Sequence, residues 1–159
     1  MAALGPDSPY EVAYDEAVRA LVEQQAFVDS LRSGAGLLLS GSAITTSFLG
    51  ARALGPGELE LMSWLATASF VGVALVSLII LWPRRWEFEA DPVEVIEAYI
   101  DTEQAAPAGK LYRDLSFRMR SSYLENRRGL NELAGYFQLA ICLLTAEVIL
   151  WVAAIALPL

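Results

Sequence analysis

The stretch AGYFQLAICLLTAEVILWVAAIALPL, residues 134–159, contains a single charged side chain, Glu147. Two further windows, residues 33–51 and 61–82, contain no charged side chain at all. Because an α-helix rises 1.5 Å per residue, about 20 such residues cross about 30 Å of hydrocarbon. The pattern predicts an all-α integral membrane protein with three transmembrane helices, at residues 33–54, 61–82 and 134–157.

The composition agrees with a membrane protein. The chain has 159 residues, of which 55% are hydrophobic and 19% charged, and its mean hydropathy is +0.43. Soluble domains of this size are rarely so apolar. A soluble three-helix bundle is the alternative, but uncharged runs of this length are more typical of membrane helices. Charged, helix-like sequence precedes the first window, so we expect no cleaved signal peptide there.

The arginines near the ends of the windows predict the orientation. Residues 52–60 contain one basic residue, Arg52, whereas the other ends of the windows are flanked by Arg32, Arg84, Arg85, Arg127 and Arg128. We therefore expect a multi-pass protein of the cell inner (plasma) membrane, with residues 1–32 and 83–133 in the cytoplasm and an outer loop at 55–60. A net charge of −8 argues against a nucleic-acid partner.

The residue inventory leaves little room for catalysis. The chain has no histidine and one cysteine, Cys142, so an internal disulfide is excluded and no metal-ligand spacing exists. Cys142 lies in the third window, where we expect it to serve packing. Phosphate-binding loops and nucleophile elbows are missing. We therefore expect no enzymatic activity, no cofactor and no metal site.

Two apolar stripes with helical spacing lie in the cytoplasmic segments. The first consists of Tyr14, Val18, Leu21, Val28 and Leu31. The second consists of Leu111, Leu115, Met119, Tyr123, Leu130, Leu133 and Phe137. The stripes predict long helices that run into the first and third spans and pack against each other in a cytoplasmic stalk. Gly129 and Gly135 interrupt the second helix, either for close packing or as a bending point.

The first span is rich in small and hydroxyl residues. Small residues let helix backbones approach closely, and hydroxyl groups can form hydrogen bonds across the contact. We predict a contact between copies of the chain in a homo-oligomer through Gly36, Ser40, Ser42, Thr46 and Gly50. The same hydroxyls either serve packing alone or line a wet path through the membrane.

Glu147 stands near the middle of the third span. An ionised carboxylate that faces lipid is costly, so Glu147 should face the bundle interior in its neutral form. Its candidate partners are hydroxyls at comparable depth: Ser42, Thr45 or Thr46 on the first span and Thr67 or Ser69 on the second. Such an intramembrane polar site is either structural or a proton or cation site. We predict that Glu147 conditions any ion passage.

Four cytoplasmic arginines are candidate phosphate ligands: Arg118, Arg120, Arg127 and Arg128. Arg127 and Arg128 lie close to the predicted inner leaflet, where they can meet lipid phosphates. Arg118 and Arg120 can receive an anionic ligand or form a solvated helix face.

Three segments carry a resemblance to a known family: LRSGAGLLLSGSAITTSFLG (31–50), LWPRRW (81–86) and LYRDLSFRMRSSYLENRRGL (111–130). In their order and helix lengths they resemble the small multi-span membrane effectors of bacterial Pycsar defence systems and, more loosely, the SLATT group. The resemblance implies an oligomeric effector that impairs the inner membrane once a cyclic nucleotide signal is made during phage infection. The chain has no recognisable cyclic-nucleotide-binding domain. The alternative is a structural or regulatory accessory subunit whose stalk docks onto a protein partner in a larger membrane complex.

Overall fold

The computed structural model describes residues 9–53, 61–84, 86, 92–99 and 107–156. Every regular element within these ranges is a helix, so the chain is all-α. The helices are α1 (Pro9–Thr45), a π-helix (Thr46–Gly50), α2 (Ala51–Ala53), α3 (Leu61–Leu81), α4 (Pro92–Tyr99) and α5 (Ala108–Ala156). The predicted outer loop at 55–60 lies outside the described residues.

Two long helical paths follow the proline-free stretches of the sequence. The first runs without a gap from α1 through the π-helix into α2. The second, α5, is continuous over 49 residues, as its stripe predicts. Where the first path enters the π-helix, the Ser47 hydroxyl donates to the Ala43 carbonyl at 2.7 Å. Ser40 makes the same kind of bond to the Gly36 carbonyl within regular α1, so this bond by itself does not change the winding.

Two of the three predicted spans qualify as membrane helices by length and composition, namely α3 and the apolar part of α5. The first predicted span is divided among α1, the π-helix and α2. Its uncharged part within α1, residues 33–45, is short and rich in glycine and serine. This division explains why α1 alone does not qualify, since about 20 predominantly apolar residues are needed to cross a bilayer.

The chain divides into two compact units. Unit 1 comprises Met1–Phe27 and Arg84–Leu130, and unit 2 comprises Val28–Pro83 and Asn131–Leu159. Helices α1 and α5 each contribute their first part to unit 1 and their second part to unit 2.

In unit 1 the first part of α1 packs against the first part of α5. The rings of Tyr14 on α1 and Tyr112 on α5 lie with centroids 5.5 Å apart. Leu21 and Leu115 are buried at 4% and 9% exposure. The buried Gln24 donates from Nε2 to the backbone oxygen of Tyr123 at 3.1 Å. Helices α1 and α5 therefore contact each other within this unit, and the packing of the two stripes in a stalk stays a prediction.

Gly129 allows a close approach in unit 1. A Cβ at Gly129 would lie 3.0 Å from Cη2 of Trp86, which is closer than ordinary van der Waals contact. Gly135, on the unit 2 part of α5, has open space at the corresponding position. The α-helix continues through both residues. Close packing therefore accounts for Gly129 and not for Gly135.

Unit 2 buries both small and large side chains and has a large apolar exterior. Its buried residues include Ala35, Ala66 and Ala140, each at 0% exposure. Its exposed side chains include Leu37 at 73% and Phe48 at 75%. Large apolar side chains in contact with water are unfavourable over so wide a surface. This distribution is compatible with a surface covered by hydrocarbon.

Candidate functional site

Glu147 is fully buried in unit 2, with 0% exposure. It lies on the face of α5 that also buries Ala140, Trp151 and Ala154. The spacings of seven, four and three residues between these positions keep them on one side of the helix. The face that packs against the neighbouring helices therefore carries the single acid of the third window.

Both carboxyl oxygens of Glu147 are bonded by hydroxyl groups of the first predicted span. The Thr46 hydroxyl donates to Oε1 at 2.7 Å, and the Ser42 hydroxyl donates to Oε2. Ser42 is itself fully buried. The two donors are four residues apart and thus follow each other on one face of the helical path. Two hydroxyls that lie one turn apart on the first helical path therefore both donate to the Glu147 carboxyl on α5.

Trp151 extends this cluster and was not among the residues that the sequence singled out. Its indole Nε1 donates to Oγ1 of Thr46 at 3.3 Å. Its ring also packs against the π-helix, since a Cβ at Gly50 would lie 3.2 Å from Cη2 of Trp151. Trp151 is only 2% exposed. A signal for it existed, because Trp151 follows Glu147 by four residues and must share its helix face.

The electrostatics of the cluster follow from its surroundings. Residues 33–51, 61–82 and 134–156 contribute no lysine or arginine. Both described hydrogen bonds to the Glu147 carboxyl come from neutral hydroxyls. An ionised carboxylate without a cation costs several kcal/mol in a low-dielectric interior, even when hydrogen bonds offset part of that cost. The described partners of the Glu147 carboxyl are therefore two neutral hydroxyl donors.

The two predicted partners on the second span bond to their own helix. The Thr67 hydroxyl donates to the Ser63 carbonyl at 2.8 Å, and the Ser69 hydroxyl donates to the Leu65 carbonyl at 3.0 Å. Thr45 lies about 100° around the helix from Thr46 and stays outside the cluster. Of the five predicted hydroxyls, Ser42 and Thr46 contact the acid.

The predicted oligomer-contact residues divide into two groups. Ser42, Thr46 and Gly50 contact α5 of the same chain, through Glu147 and Trp151. Gly36 and Ser40 do not share in this contact, since a Cβ at Gly36 would meet open space. The Ser40 hydroxyl, which is exposed, donates to the Gly36 carbonyl at 2.9 Å. Gly36 and Ser40 are therefore the part of the predicted oligomer contact that does not contact α5 of the same chain.

The four candidate phosphate ligands are all exposed and do not form one cluster. Residues two apart on an α-helix point about 200° away from each other, so Arg118 and Arg120 face different sides of α5. Arg120 and Arg127, seven apart, share a face. Arg120 also lines a groove of about 370 Å³ in unit 1, whose other lining residues are Ala13, Glu16, Ala17, Ala20, Met119 and Tyr123.

Metal chemistry finds no support in the described ranges. No group of three or more cysteine, aspartate or glutamate side chains that could hold a metal ion occurs there. Cys142 is exposed on α5. Cys142 lies about 140° around α5 from Glu147, and the packing role expected of it stays a prediction.

No protein-family model, curated protein or solved structure matches this chain. The resemblance to Pycsar and SLATT effectors therefore stays a prediction.

Proposed function

We propose that this chain is a multi-pass inner-membrane protein that acts as a homo-oligomeric effector and impairs membrane integrity. The observation that supports this proposal is the burial of Glu147 among neutral donors within unit 2. An ionisable side chain inside a membrane segment is costly, and such residues usually mark a path for ions or protons.

The same cluster supports three spans rather than two. Both hydroxyls that bond Glu147 come from the first predicted span, although α1 alone is not apolar enough to qualify. The first helical path bonds to Glu147 on the apolar part of α5. Because bonded helices lie side by side, both need apolar surroundings. We therefore place 33–54, 61–82 and 134–157 in one membrane bundle, with the N-terminus and residues 83–133 in the cytoplasm.

The cytoplasmic parts are the proposed receivers of the signal. The resemblance to Pycsar effectors suggests a cyclic nucleotide made during phage infection. Arg120 and Arg127 share a face of α5 on which an anionic ligand or lipid phosphates can bind. In this proposal unit 1 forms the stalk that transmits the signal, and the Gly36–Ser40 end of the first span provides the contact between copies.

A second candidate function has one observation in its favour. The hydroxyls of Ser42 and Thr46 donate hydrogen bonds to Glu147 of the same chain. These groups therefore need not line a water-filled path. A protein whose polar membrane residues serve packing alone fits a structural or regulatory accessory subunit. Its unit 1 would then dock onto another member of a larger membrane complex.

Purification in mild detergent separates the two candidates. The effector is expected to give a symmetric homo-oligomer by native mass spectrometry and to release a trapped dye from liposomes. An accessory subunit would instead co-purify with an unrelated protein in fixed stoichiometry and leave liposomes tight. A monomer that causes no leakage would contradict the effector proposal.

The orientation has its own test, on a Cys142→Ala background. A cysteine placed at Gly57 is expected to react with a membrane-impermeant reagent in intact cells, because we place the 55–60 loop outside. A cysteine at Gly109 should react only after the membrane is opened. The reverse pattern would overturn the proposed topology.

A further inference from the structure

Helix α1 carries a second apolar series in unit 1, one residue ahead of its predicted stripe. Ala13, Ala17 and Ala20 recur at spacings of four and three and line an open groove of about 370 Å³. Phe27 follows Ala20 by seven residues and is 47% exposed. This spacing is typical of a seam at which a helix packs against another helix. The alanines are small and therefore permit a close approach.

The α5 side of the groove is also apolar and open. Met119 and Tyr123 line it. Phe117 and Leu124 stand three residues before and four residues after the groove residue Arg120, so they share its side of α5. Their side chains are 57% and 50% exposed. Apolar side chains that are exposed together and bordered by charges mark a contact with another protein.

The two helices place charges of opposite sign at this groove. Glu16 of α1 and Arg120 of α5 both line it. Glu16 is 70% exposed, and its ion pair with Arg19 at 3.2 Å is equally exposed. Such a pair contributes little to stability, so Glu16 can exchange it for another partner. Arg120 has no ion pair or hydrogen bond with the residues that the structure describes.

Helices α1 and α5 run in the same direction within unit 1. Tyr14 contacts Tyr112, and ten residues further along α1 Gln24 bonds to Tyr123. The groove acid of α1 is thus level with about residue 114 of α5, about six residues before the groove arginine. Charges that flank the seam of a parallel coiled coil pair across a similar offset of about five residues.

A small anion is a poorer occupant of the groove than a protein surface. The carboxylate of Glu16 would repel an anion at the same groove where Arg120 attracts it. A surface that carries one acid and one arginine instead complements both charges. The same surface on a second copy of this chain meets that requirement, since a two-fold contact joins identical patches.

We propose that the groove of unit 1 receives unit 1 of a second copy, with Glu16 of each copy paired with Arg120 of the other. Two pairs of α1 and α5 then form a parallel four-helix stalk whose interior contains the alanine series. This proposal rests on the proposed function in that both copies lie in one membrane and point the same way. It adds a contact in unit 1 to the one proposed at Gly36 and Ser40.

Cross-linking of the full-length protein in liposomes reads this contact separately from the oligomeric state. On a Cys142→Ala background, Ala20→Cys places a thiol in the groove. Val22→Cys is the matched control, because Val22 is 57% exposed and lies about 200° around α1 from Ala20. A short bis-maleimide is expected to give dimers with Ala20→Cys and not with Val22→Cys. Equal yields, or no dimer from Ala20→Cys, would overturn the proposal.

Charge reversal tests the pairing across the groove. Glu16→Arg and Arg120→Glu should each lower the Ala20→Cys dimer yield about tenfold at low protein density, because two exposed pairs become repulsive contacts. Asp15→Arg is the control, since Asp15 is exposed beside the groove and does not line it, and its yield should match the parent. Yields that respond to neither groove variant would overturn the proposal.

Expression of both reversed variants together separates a contact between copies from one within the chain. In the mixed dimer each arginine again faces an acid of the other copy, so the yield should return to the parent value. A yield that stays low in the mixture would overturn the pairing. A response to Arg120→Glu without one to Glu16→Arg would assign the groove to an anionic ligand and would also overturn it.

The two proposals can fail separately. Cross-linking through the groove in a protein that causes no leakage would remove the effector function and leave this contact intact. A homo-oligomer that releases dye from liposomes but gives no Ala20→Cys dimer would do the reverse.

Discussion

Gln24 in unit 1 and Glu147 in unit 2 are buried hydrogen-bonding side chains where α1 meets α5, and their oxygens are satisfied differently. In unit 1, Gln24 is 7% exposed and donates to the Tyr123 backbone, but its Oε1 is buried with no hydrogen-bond partner among the described residues. In unit 2, Glu147 is fully buried and both of its oxygens are bonded. The more polar group is thus the better satisfied one.

The difference follows from the cost of an unsatisfied group in each setting. Leaving one neutral acceptor without a partner costs about 1–3 kcal/mol. A bare carboxyl in an apolar helix bundle costs more, because neither water nor a cation is available to it. A buried neutral oxygen without a partner among the described residues occurs in both units, at Gln24 Oε1 in unit 1 and at Ser77 Oγ in unit 2. Unit 2 has to complete the cluster around its acid.

The contacts that hold the helices together differ in the same way. Unit 1 joins α1 and α5 through the ring pair Tyr14 and Tyr112. Unit 2 fits one large ring, Trp151, against the glycine of a π-helix. Aromatic pairs suit a contact driven by the hydrophobic effect, whereas membrane helices associate through close packing and hydrogen bonds.

The largest effect is expected from Trp151→Ala, which removes the ring against Gly50 and the donor to Thr46. By analogy with large-to-small substitutions in cores, unfolding should become easier by about 3 kcal/mol. Trp64→Ala is the matched control, since Trp64 is 59% exposed on α3. Circular dichroism during titration with a denaturing detergent measures both. Equal losses in the two variants would contradict the anchoring role of Trp151.

Glu147→Leu should rank second, with a loss of stability of about 2 kcal/mol, because two hydrogen bonds between the helices disappear. Glu147→Gln keeps the shape and one acceptor oxygen and should stay within about 1 kcal/mol of the parent. Liposome leakage should nevertheless change in Glu147→Gln, since the amide cannot exchange a proton. Parent-like leakage in the Gln variant would make Glu147 purely structural. No change of stability or leakage in the Leu variant would deny it any role.

A glycine pair tests the close approach in unit 2. Gly50→Ala places a Cβ 3.2 Å from Trp151 Cη2, which should shift the ring and lower stability by about 1 kcal/mol. Gly41→Ala meets open space and should raise stability by up to about 1 kcal/mol, because alanine favours helix over glycine. The same detergent titration measures both, and a stabilising Gly50→Ala would show that Trp151 is not held against the π-helix.

The smallest effect is expected from Gln24→Leu in unit 1. The variant loses the hydrogen bond to Tyr123 and also removes the unsatisfied Oε1, so the two changes should offset each other to within about 0.5 kcal/mol. The detergent titration compares the stability of Gln24→Leu with that of Glu147→Leu. A loss as large as that of Glu147→Leu would mean that both buried groups are equally required.

Much of this arrangement can be predicted from the sequence. The long uncharged windows predict apolar helices, because a chain without charges over about 20 residues favours helix in an apolar medium. The helical period places Leu21, Leu115 and Glu147 on buried faces, since 3.6 residues per turn assigns each side chain to a side of its own helix. Ser42 and Thr46 are among the predicted partners of the acid because their hydroxyls lie at a comparable depth in the first predicted span.

Only the tertiary structure shows which hydroxyls bond to Glu147 and which group accepts from Trp151. It also shows that the Trp151 ring packs against a π-helix. A helical period assigns a residue to a face, but it says nothing about the rotation and offset of one helix against the next. Those two quantities come from packing between residues that are about a hundred positions apart in this chain. The rotation and offset of the two helices decide which part of the first span contacts α5. Ser42, Thr46 and Gly50 make this contact, whereas Gly36 and Ser40 do not.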